Sequence, residues 1–177
     1  MLKFRKMRDD VPGPPLTLDH DERLTRVGRF LAATKCDEIP QLWNVLRGEM
    51  SLVGPRPEDP DFVAHGAGDY ERILDVKPGI TGLAQLAFAH ESRILDPNAP
   101  VEDYLERLLP QKMALDLFYA SRRSVLLDLR ILAWTAIAVL FGREVAVDRA
   151  TGRLSLRRRP ARADAVPAAG EGAIETP

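Results

Sequence analysis

Apolar residues recur at helical spacing along most of the chain, and short segments rich in proline and glycine separate these stretches. In residues 22–35, Leu24, Val27 and Leu31 fall on one face of a helical wheel, with arginines interleaved among them. That spacing predicts an amphipathic helix. Further helices are predicted over residues 67–74, 101–109, 110–120 and 124–142.

Residues 37–48 form a second helical stretch close behind the first. Asp37 is placed to cap its N-terminus, and Glu38 and Pro40 fall in the first turn, where acidic residues and proline are tolerated. Gly48 is placed to end the helix. The segment therefore predicts a short helix that begins with two adjacent carboxylates.

Other segments do not suit a regular helix. Residues 51–60 contain three prolines and a glycine, which exclude one there. Residues 77–85 are predicted to form a glycine-punctuated loop leading into a short strand, and residues 1–20 an extended entry followed by a loop. These features predict an α-rich α/β fold, with several amphipathic helices around a small, irregular active-site region.

Composition excludes several classes of protein. The 177 residues include 25 basic and 26 acidic side chains, a net charge of −1, so no overall charge draws the chain to nucleic acid. The single cysteine, Cys36, excludes an internal disulfide. The three histidines, His20, His65 and His90, lack the spacing of a zinc site.

The character of the chain changes after residue 142. Residues 143–162 carry seven arginines against Glu144 and Asp148, a net charge of +5. Residues 163–177 are rich in alanine, glycine and proline. We expect residues 143–177 to be a disordered tail, which leaves residues 1–142 as one domain.

Residues 131–141, ILAWTAIAVLF, form the most apolar stretch. Its length is well short of the roughly 20 residues that a membrane-spanning helix needs. Ser124 is placed to cap the surrounding helix and Gly142 to end it. This helix either packs in a core or lies in the plane of a membrane surface, where the basic tail would contribute about 1 kcal/mol per basic residue near anionic headgroups.

Asp37 and Glu38 are the first candidates for chemistry. A helix N-terminus carries partial positive charge and free backbone N–H groups, which favour an ionised carboxylate. An ionised aspartate there can cap the helix, bind a divalent cation or act as a nucleophile. For the dipeptide alone, simple capping is the plainest interpretation.

Arg56 is held between two prolines. Pro55 and Pro57 restrict the backbone on both sides, so the guanidinium extends from a stiff chain and suits a phosphate or a carboxylate. Residues 77–82, KPGITG, have glycines that let backbone N–H groups approach an anion. A solvated arginine and an ordinary turn are the simpler interpretations of these two segments alone.

The amino-acid sequences of these segments and their order along the chain are more informative together than any one segment is alone. Residues 26–57 read RVGRFLAATKCDEIPQLWNVLRGEMSLVGPRP, and residues 77–85 read KPGITGLAQ. LPQK follows at 109–112 and LDLFYASRRSVLLDLRILAWT at 115–135. Over roughly residues 1–142, this run closely resembles the bacterial sugar transferase family, the monotopic polyprenyl-phosphate phosphoglycosyl transferases.

The resemblance implies a two-step transfer at the cytoplasmic face of the bacterial inner membrane. Asp37, at the nucleophile position, would take a sugar phosphate from a UDP-sugar with loss of UMP. Polyprenyl phosphate, such as undecaprenyl phosphate, would then accept it, initiating exopolysaccharide, O-antigen or glycoconjugate synthesis. Glu38 would assist, and Mg²⁺ would bind at Asp37 and Glu38.

The resemblance also implies residues that bind substrate. Arg56, with Pro55 and Pro57, matches the family's nucleotide-side arginine. Lys3, in KFRKM, matches a lysine near the phosphates. Arg93 is a further residue expected to approach the substrate.

The sequence departs from the family pattern in two places. Members usually begin with a hydrophobic re-entrant helix, whereas Met1 lies just before the phosphate-binding lysine. The family often has an arginine where this chain has Ala32. We therefore expect a truncated catalytic domain that is peripheral to the membrane. The alternatives are a non-catalytic fragment or interaction module of a membrane glycan-assembly complex, and a purely membrane-binding protein. A homo-oligomer is left open.

Overall fold

The computed structural model describes residues 1–18 and 21–157. Helices dominate this part of the chain, so the predicted α-rich α/β class is confirmed. The α-helices are α1 (Arg26–Thr34), α2 (Gln41–Leu46), α3 (Pro60–His65), α4 (Ala67–Leu74), α5 (Leu83–Ala87), α6 (Pro100–Asp103), α7 (Leu109–Arg122) and α8 (Val125–Phe141). The strands are β1 (Ser51–Val53), β2 (Gly79–Thr81), β3 (Val145–Val147) and β4 (Leu154–Leu156). Short 3-10 turns cover Cys36–Glu38 and Glu91–Arg93, and a π-helical segment covers Tyr104–Leu108.

Strands β1 and β2 pair in parallel and fix the position of the proline-flanked arginine. Ser51 lies opposite Gly79, and the amide of Gly79 donates to the carbonyl of Pro55 at 2.9 Å. A Cβ at Gly79 would lie 2.0 Å from the backbone nitrogen of Gly54, so a side chain there would force the two segments apart. The glycines of the KPGITG segment thus serve this close approach of two backbones.

Helix α7 joins two hydrophobic cores. Its Leu109 and Met113 belong to the first core, and its Leu115 and Tyr119 to the second. Burying each large apolar side chain contributes about 1.5–3 kcal/mol, so α7 couples the stability of both halves. The first core also contains Leu16, Phe62, Tyr70, Ile73, Leu95, Tyr104 and Leu108; the second also contains Val53, Leu83, Ala84, Leu86, Ile131, Val145 and Leu154.

Residues 1–8 run as an extended segment beside the turn that contains Asp37, as the predicted extended entry requires. The amide of Phe4 donates to the carbonyl of Asp37 at 3.0 Å. The carbonyl of Lys6 accepts from the amide of Thr25 at 3.1 Å, and a Cβ at Gly28 would lie only 1.9 Å from the same oxygen. Gly28 therefore lets the N-terminal segment cross α1 and reach the turn.

Helix α8 has the predicted boundaries. The hydroxyl of Ser124 accepts from the amide of Leu127 at 3.3 Å, and Gly142 ends the helix at φ +59°. Ile131 is fully buried, whereas Phe141 is exposed, so the helix packs in the core along one face only. No helix within residues 1–18 and 21–157 has both the length and the apolar character needed to cross a bilayer.

Two other predicted boundaries were displaced. The first helix begins at Arg26 with Thr25 as its cap, not at residue 22. The helices predicted over 101–109 and 110–120 form one continuous run, because the π-helical segment joins α6 to α7. Pro110 lies directly after the π-helical segment, at the second residue of α7, inside this continuous run.

The prediction of a disordered tail beginning at residue 143 was wrong for the part that the structure describes. Strands β3 and β4 form an antiparallel hairpin in which Val145 lies opposite Leu156. Val145 and Leu154 are buried against the second core, and Gly152 turns the chain at φ +64°. The prediction rested on the many arginines in this segment and overlooked its few apolar residues, which are sufficient to pack the hairpin against the second core. Residues 158–177 of that prediction, and His20, lie outside the described residues.

Candidate functional site

Asp37 lies in a turn between two helices and does not cap either of them. Lys35 ends α1 at φ +58°, and this left-handed residue reverses the chain into the 3-10 turn Cys36–Glu38. Pro40 occupies the cap position of α2, so the prediction that Asp37 caps that helix was wrong. The reversal turns the Asp37 side chain inward, where it is 2% exposed.

Two lysines from the extended N-terminal segment hold the buried carboxylate. Oδ2 of Asp37 lies 3.1 Å from Nζ of Lys3 and 3.4 Å from Nζ of Lys6. Burial acts to raise the pKa of Asp37, but the two ammonium groups outweigh it and lower the pKa below its ordinary value. The carboxylate is therefore ionised at neutral pH.

Lys3 also connects the two adjacent acids, Asp37 and Glu38, which we call the dyad. Its Nζ lies 3.3 Å from Oε1 of Glu38, so one ammonium group bridges both carboxylates. Burial and the charge of Lys3 lower the pKa of Lys6. Sequence reasoning missed Lys6, although its KFRKM segment supplied Lys3 and places Lys6 three residues later.

Arg56 also contacts the dyad, through the same Glu38 oxygen as Lys3. Its Nη1 lies 3.4 Å from Oε1 of Glu38, and its side chain is 35% exposed. Pairing of β2 with the backbone of Pro55 holds the loop, and Pro57 restricts it beyond the arginine. Three cations, Lys3, Lys6 and Arg56, thus surround two carboxylates, an excess of positive charge that suits a phosphate ligand.

Arg93 is not part of this cluster. It lies in the turn Glu91–Arg93, is exposed, and forms no ion pair with any residue in the described part of the chain. Glu91, two residues earlier, forms an ion pair with Lys112. The structure therefore brings Lys3 and Arg56 into contact with the dyad, with Pro55 and Pro57 on either side of Arg56, and gives Arg93 no ion pair with the dyad among the described residues.

A cavity of about 320 Å³ opens beside the dyad. Glu38, Arg56 and Gln85 are among its polar lining residues, and the apolar part of the lining includes residues of the segment after α1, of α2, β2 and α5, and of α8. Asp37 does not line it, because the lysines cover its carboxylate. The Oδ1 atom of Asp37 is buried and lacks a hydrogen-bond partner among the described residues.

The residues that could hold a metal ion are few. Within residues 1–18 and 21–157, no group of three or more histidine, cysteine, aspartate and glutamate side chains is arranged as a metal site. The dyad offers two carboxylates, and the unpaired Oδ1 of Asp37 is a free acceptor. Mg²⁺ typically binds one or two carboxylates together with substrate phosphates, so the dyad fits Mg²⁺ only with a phosphate ligand present.

A second cluster of charged groups lies behind Arg56. We call Glu58, Glu91, Tyr104 and Lys112 the Lys112 network, because Nζ of Lys112 contacts the other three side chains. Asp116 lies one turn further along α7 and is also buried. Sequence reasoning missed this cluster, although Lys112 and Asp116 are four residues apart on a helix whose neighbouring positions are apolar.

Asp116 gives a pH-dependent prediction. Burial raises its pKa from the ordinary 3.8 to about 8, with the charge of Lys112 partly offsetting the rise. The folded state therefore keeps a proton that the unfolded chain releases, and stability falls as pH rises between these values, by up to about 1.4 kcal/mol per pH unit. Asp116→Asn removes this dependence.

Urea unfolding at pH 5, 6, 7 and 8 checks this prediction. We expect the free energy of unfolding of Asp116→Asn to increase relative to that of the wild type as pH rises. The control is Asp69→Asn, which changes an exposed aspartate on α4. Parallel pH profiles for Asp116→Asn and the wild type would contradict the expectation.

Comparison with known proteins shows a family match and several relatives. The family described as Bacterial sugar transferase matches residues 1–142. The UDP-glucose:undecaprenyl-phosphate glucose-1-phosphate transferase of Xanthomonas campestris pv. campestris is 39% identical over 151 residues, covering 79% of this chain and 28% of that protein. The enzyme of the same name from Caulobacter vibrioides is 39% identical over 145 residues, covering 79% of this chain and 51% of that protein.

A shorter match is stronger in identity. The undecaprenyl-phosphate galactose phosphotransferase of Salmonella typhimurium is 51% identical over 70 residues, which cover 40% of this chain and 15% of that protein. The chain thus spans between about a quarter and a half of the two glucose-1-phosphate transferases it matches. With the family matched over residues 1–142, the resemblance predicted from the motifs is confirmed, and the chain belongs to the bacterial sugar transferase family.

Proposed function

We propose that this chain transfers a sugar 1-phosphate from a UDP-sugar to a polyprenyl phosphate, the first committed step in assembling an exopolysaccharide or related glycan. The observation that carries the proposal is the ionised Asp37, held by Lys3 and Lys6 and adjacent to Glu38 and Arg56. The named relatives, two glucose-1-phosphate transferases and a galactose phosphotransferase, support the same class of reaction.

Asp37 is the proposed nucleophile. Its carboxylate oxygen attacks the phosphorus that bears the sugar, the bond to the bridging oxygen of the diphosphate breaks, and UMP leaves with the electron pair. A phosphate oxygen of the polyprenyl phosphate then attacks the same phosphorus. The bond to Asp37 breaks, which restores the carboxylate and releases a polyprenyl diphosphate sugar.

The lysines give this reaction a means of uncovering the nucleophile. Lys3 and Lys6 cover Asp37, which is only 2% exposed. A diphosphate offers both ammonium groups competing oxygens, so its binding draws them from Asp37 and leaves the carboxylate facing phosphorus. The same cations then stabilise negative charge on the transferring group and on departing UMP.

Glu38 and Arg56 have complementary proposed roles. Arg56, with its fork of donors, binds the nucleotide-side phosphate, since it approaches the dyad from the β1–β2 edge. Asp37 and Glu38 would hold Mg²⁺ together with diphosphate oxygens, and the ion would supply further neutralisation of phosphate charge. Lys3 bridges the two carboxylates and limits their mutual repulsion.

Exposed apolar side chains support contact with a membrane surface. Leu42 of α2 and Val139 of α8 line the cavity beside the dyad, so the two helices flank it. Trp43 and Leu46 on α2 and Phe141 at the end of α8 are more than half exposed. Docking this face on the cytoplasmic leaflet of the inner membrane would bring a polyprenyl phosphate to the cavity, with tryptophan at the interface.

A turnover assay tests the proposed reaction. The protein is mixed with Mg²⁺, undecaprenyl phosphate in detergent and, separately, UDP-glucose, UDP-galactose or a UDP-acetamido sugar. We expect UMP release that requires undecaprenyl phosphate, with formation of a lipid-linked sugar diphosphate from at least one donor. Absence of both products from every donor would favour a non-catalytic interaction module.

The membrane contact predicts a loss of vesicle binding in a double variant. Trp43→Ser with Leu46→Ser removes two exposed apolar side chains beside the cavity and should lower the fraction bound to vesicles at least about threefold. Flotation with vesicles containing anionic lipid measures the effect. The matched control is Leu74→Ser, on α4, where the leucine is 67% exposed. Equal losses for both proteins would contradict a specific membrane face.

A further inference from the structure

Lys112 is a buried cation with three polar partners. It is 3% exposed, and its Nζ lies 2.7 Å from Oε1 of Glu58 and 3.2 Å from Oε2 of Glu91. The same nitrogen donates to the hydroxyl of Tyr104 at 2.7 Å. One ammonium group thus serves two carboxylates and one phenol inside the protein.

Tyr104 completes the arrangement from a π-helical turn. Its side chain is fully buried, and its hydroxyl accepts from Lys112 while donating to Oε2 of Glu58 at 2.8 Å. Oε1 of Glu58 thus forms an ion pair with Lys112, while Oε2 accepts the hydrogen bond from Tyr104. Tyr104 opens the π-helical segment Tyr104–Leu108, an irregularity that helices often keep at functional positions.

The network is joined to Arg56 through the chain, because Glu58 belongs to the same proline-restricted loop. Glu58 follows Arg56 by two residues, across Pro57. Burial acts to lower the pKa of Arg56, but the carboxylates of Glu38, Glu91 and Glu58 outweigh it and raise the pKa. With Lys112 absent, two carboxylates without a counter-ion would compete for Arg56.

Stability alone does not account for the network. Burying a lysine with its partners costs desolvation energy that their attraction roughly offsets, and apolar residues of similar volume often stabilise such a position as well or better. A function that needs the charge of Lys112 explains the arrangement. That function follows from what Glu58 and Glu91 would do to Arg56.

We propose that Lys112 is a positioning residue: it neutralises Glu58 and Glu91 and, with Tyr104, fixes Glu58, so that Arg56 remains available for the diphosphate of the donor. The inference rests on the proposed function, in which Arg56 binds a nucleotide phosphate. Its chemistry requires only an anion at Arg56, so binding of UDP reports on it without turnover.

Calorimetric titration with UDP and Mg²⁺ tests the inference on the full chain. Lys112→Met should weaken UDP binding about tenfold, because Arg56 turns toward the uncompensated carboxylates. Adding Glu58→Gln to Lys112→Met should restore most of the affinity, since one competing charge is removed. In an Arg56→Gln background, Lys112→Met should change the affinity less than about twofold.

Other outcomes would overturn the inference. An equal loss in the Arg56→Gln background, or no recovery with Glu58→Gln, would show that Lys112 acts only through folding. Should Lys112→Met fail to fold, Tyr104→Phe keeps the ring and removes the hydroxyl; it should weaken UDP binding about threefold with Arg56 present and not without it.

The result also separates this inference from the proposed reaction. A wild type that binds UDP with the expected coupling but makes no lipid-linked product would leave the positioning role intact and refute the transferase. A wild type that forms product, with UDP affinity unaffected by Lys112→Met, would refute the positioning role alone. A wild type that does not bind UDP would overturn both.

Discussion

Asp37→Asn abolishes covalent labelling of the protein by a UDP-sugar that carries radioactive phosphorus next to the sugar. The amide oxygen is neutral and a poor nucleophile, so the proposed bond to phosphorus cannot form. We expect turnover to fall at least about 10³-fold. Acid-quenched samples separated on a denaturing gel measure the label, and UMP release measures turnover.

The controls for Asp37→Asn address folding and charge. Removing the carboxylate leaves Lys3 and Lys6 without their shared partner, so circular dichroism must show an unchanged fold. Glu71→Gln removes an exposed carboxylate on α4 and should be labelled like the wild type. Labelling of Asp37→Asn at the wild-type level would show that another group carries the phosphate, or that the label is not an intermediate.

Elements with local signals were predictable from the sequence. Helix α8 follows from Ser124, an apolar run and Gly142, and each of these signals lies within the helix or at its ends. Helix α4 was predicted over the same residues that the structure shows. The β3–β4 hairpin was missed because its stability comes from packing against α5 in the second core, which no local pattern records.

The candidate site was predictable as a set of residues but not as an arrangement. The motifs placed Lys3, Asp37 and Arg56 in one site, and the structure brings them together around Glu38. The burial of Asp37 was not predictable, because it depends on the left-handed Lys35 and on an N-terminal segment that crosses α1. Spacing along the chain does not encode either contact.

The Lys112 network also could not be predicted from the sequence. Glu58 and Lys112 are separated by more than fifty residues and meet because α7 passes behind the loop that contains Arg56. From sequence, Lys112 is a charged residue on an amphipathic helix, for which a solvated position is the ordinary expectation. Only its burial beside two acids and a phenol indicates a role.

Arg56→Gln should lower kcat/KM for the UDP-sugar about 10²- to 10³-fold. The guanidinium supplies charge and paired donors to phosphate oxygens that gain charge as UMP departs, and removing such a group costs about 3–4 kcal/mol of transition-state stabilisation. Arg56→Lys keeps the charge but loses the planar fork, so it should recover only part of the loss. Initial rates over a range of donor concentrations give kcat and KM for each variant.

The control for this change is Arg72→Gln, which removes an exposed arginine on α4. It should leave kcat/KM within about twofold of the wild type, since surface substitutions away from a site have small effects. If Arg56→Lys equalled the wild type, charge alone would explain the residue, and the stiff proline-flanked presentation would have no functional consequence. If Arg56→Gln also retained full activity, the nucleotide phosphates would have to lie elsewhere, because Arg56 both contacts Glu38 and lines the cavity beside the dyad.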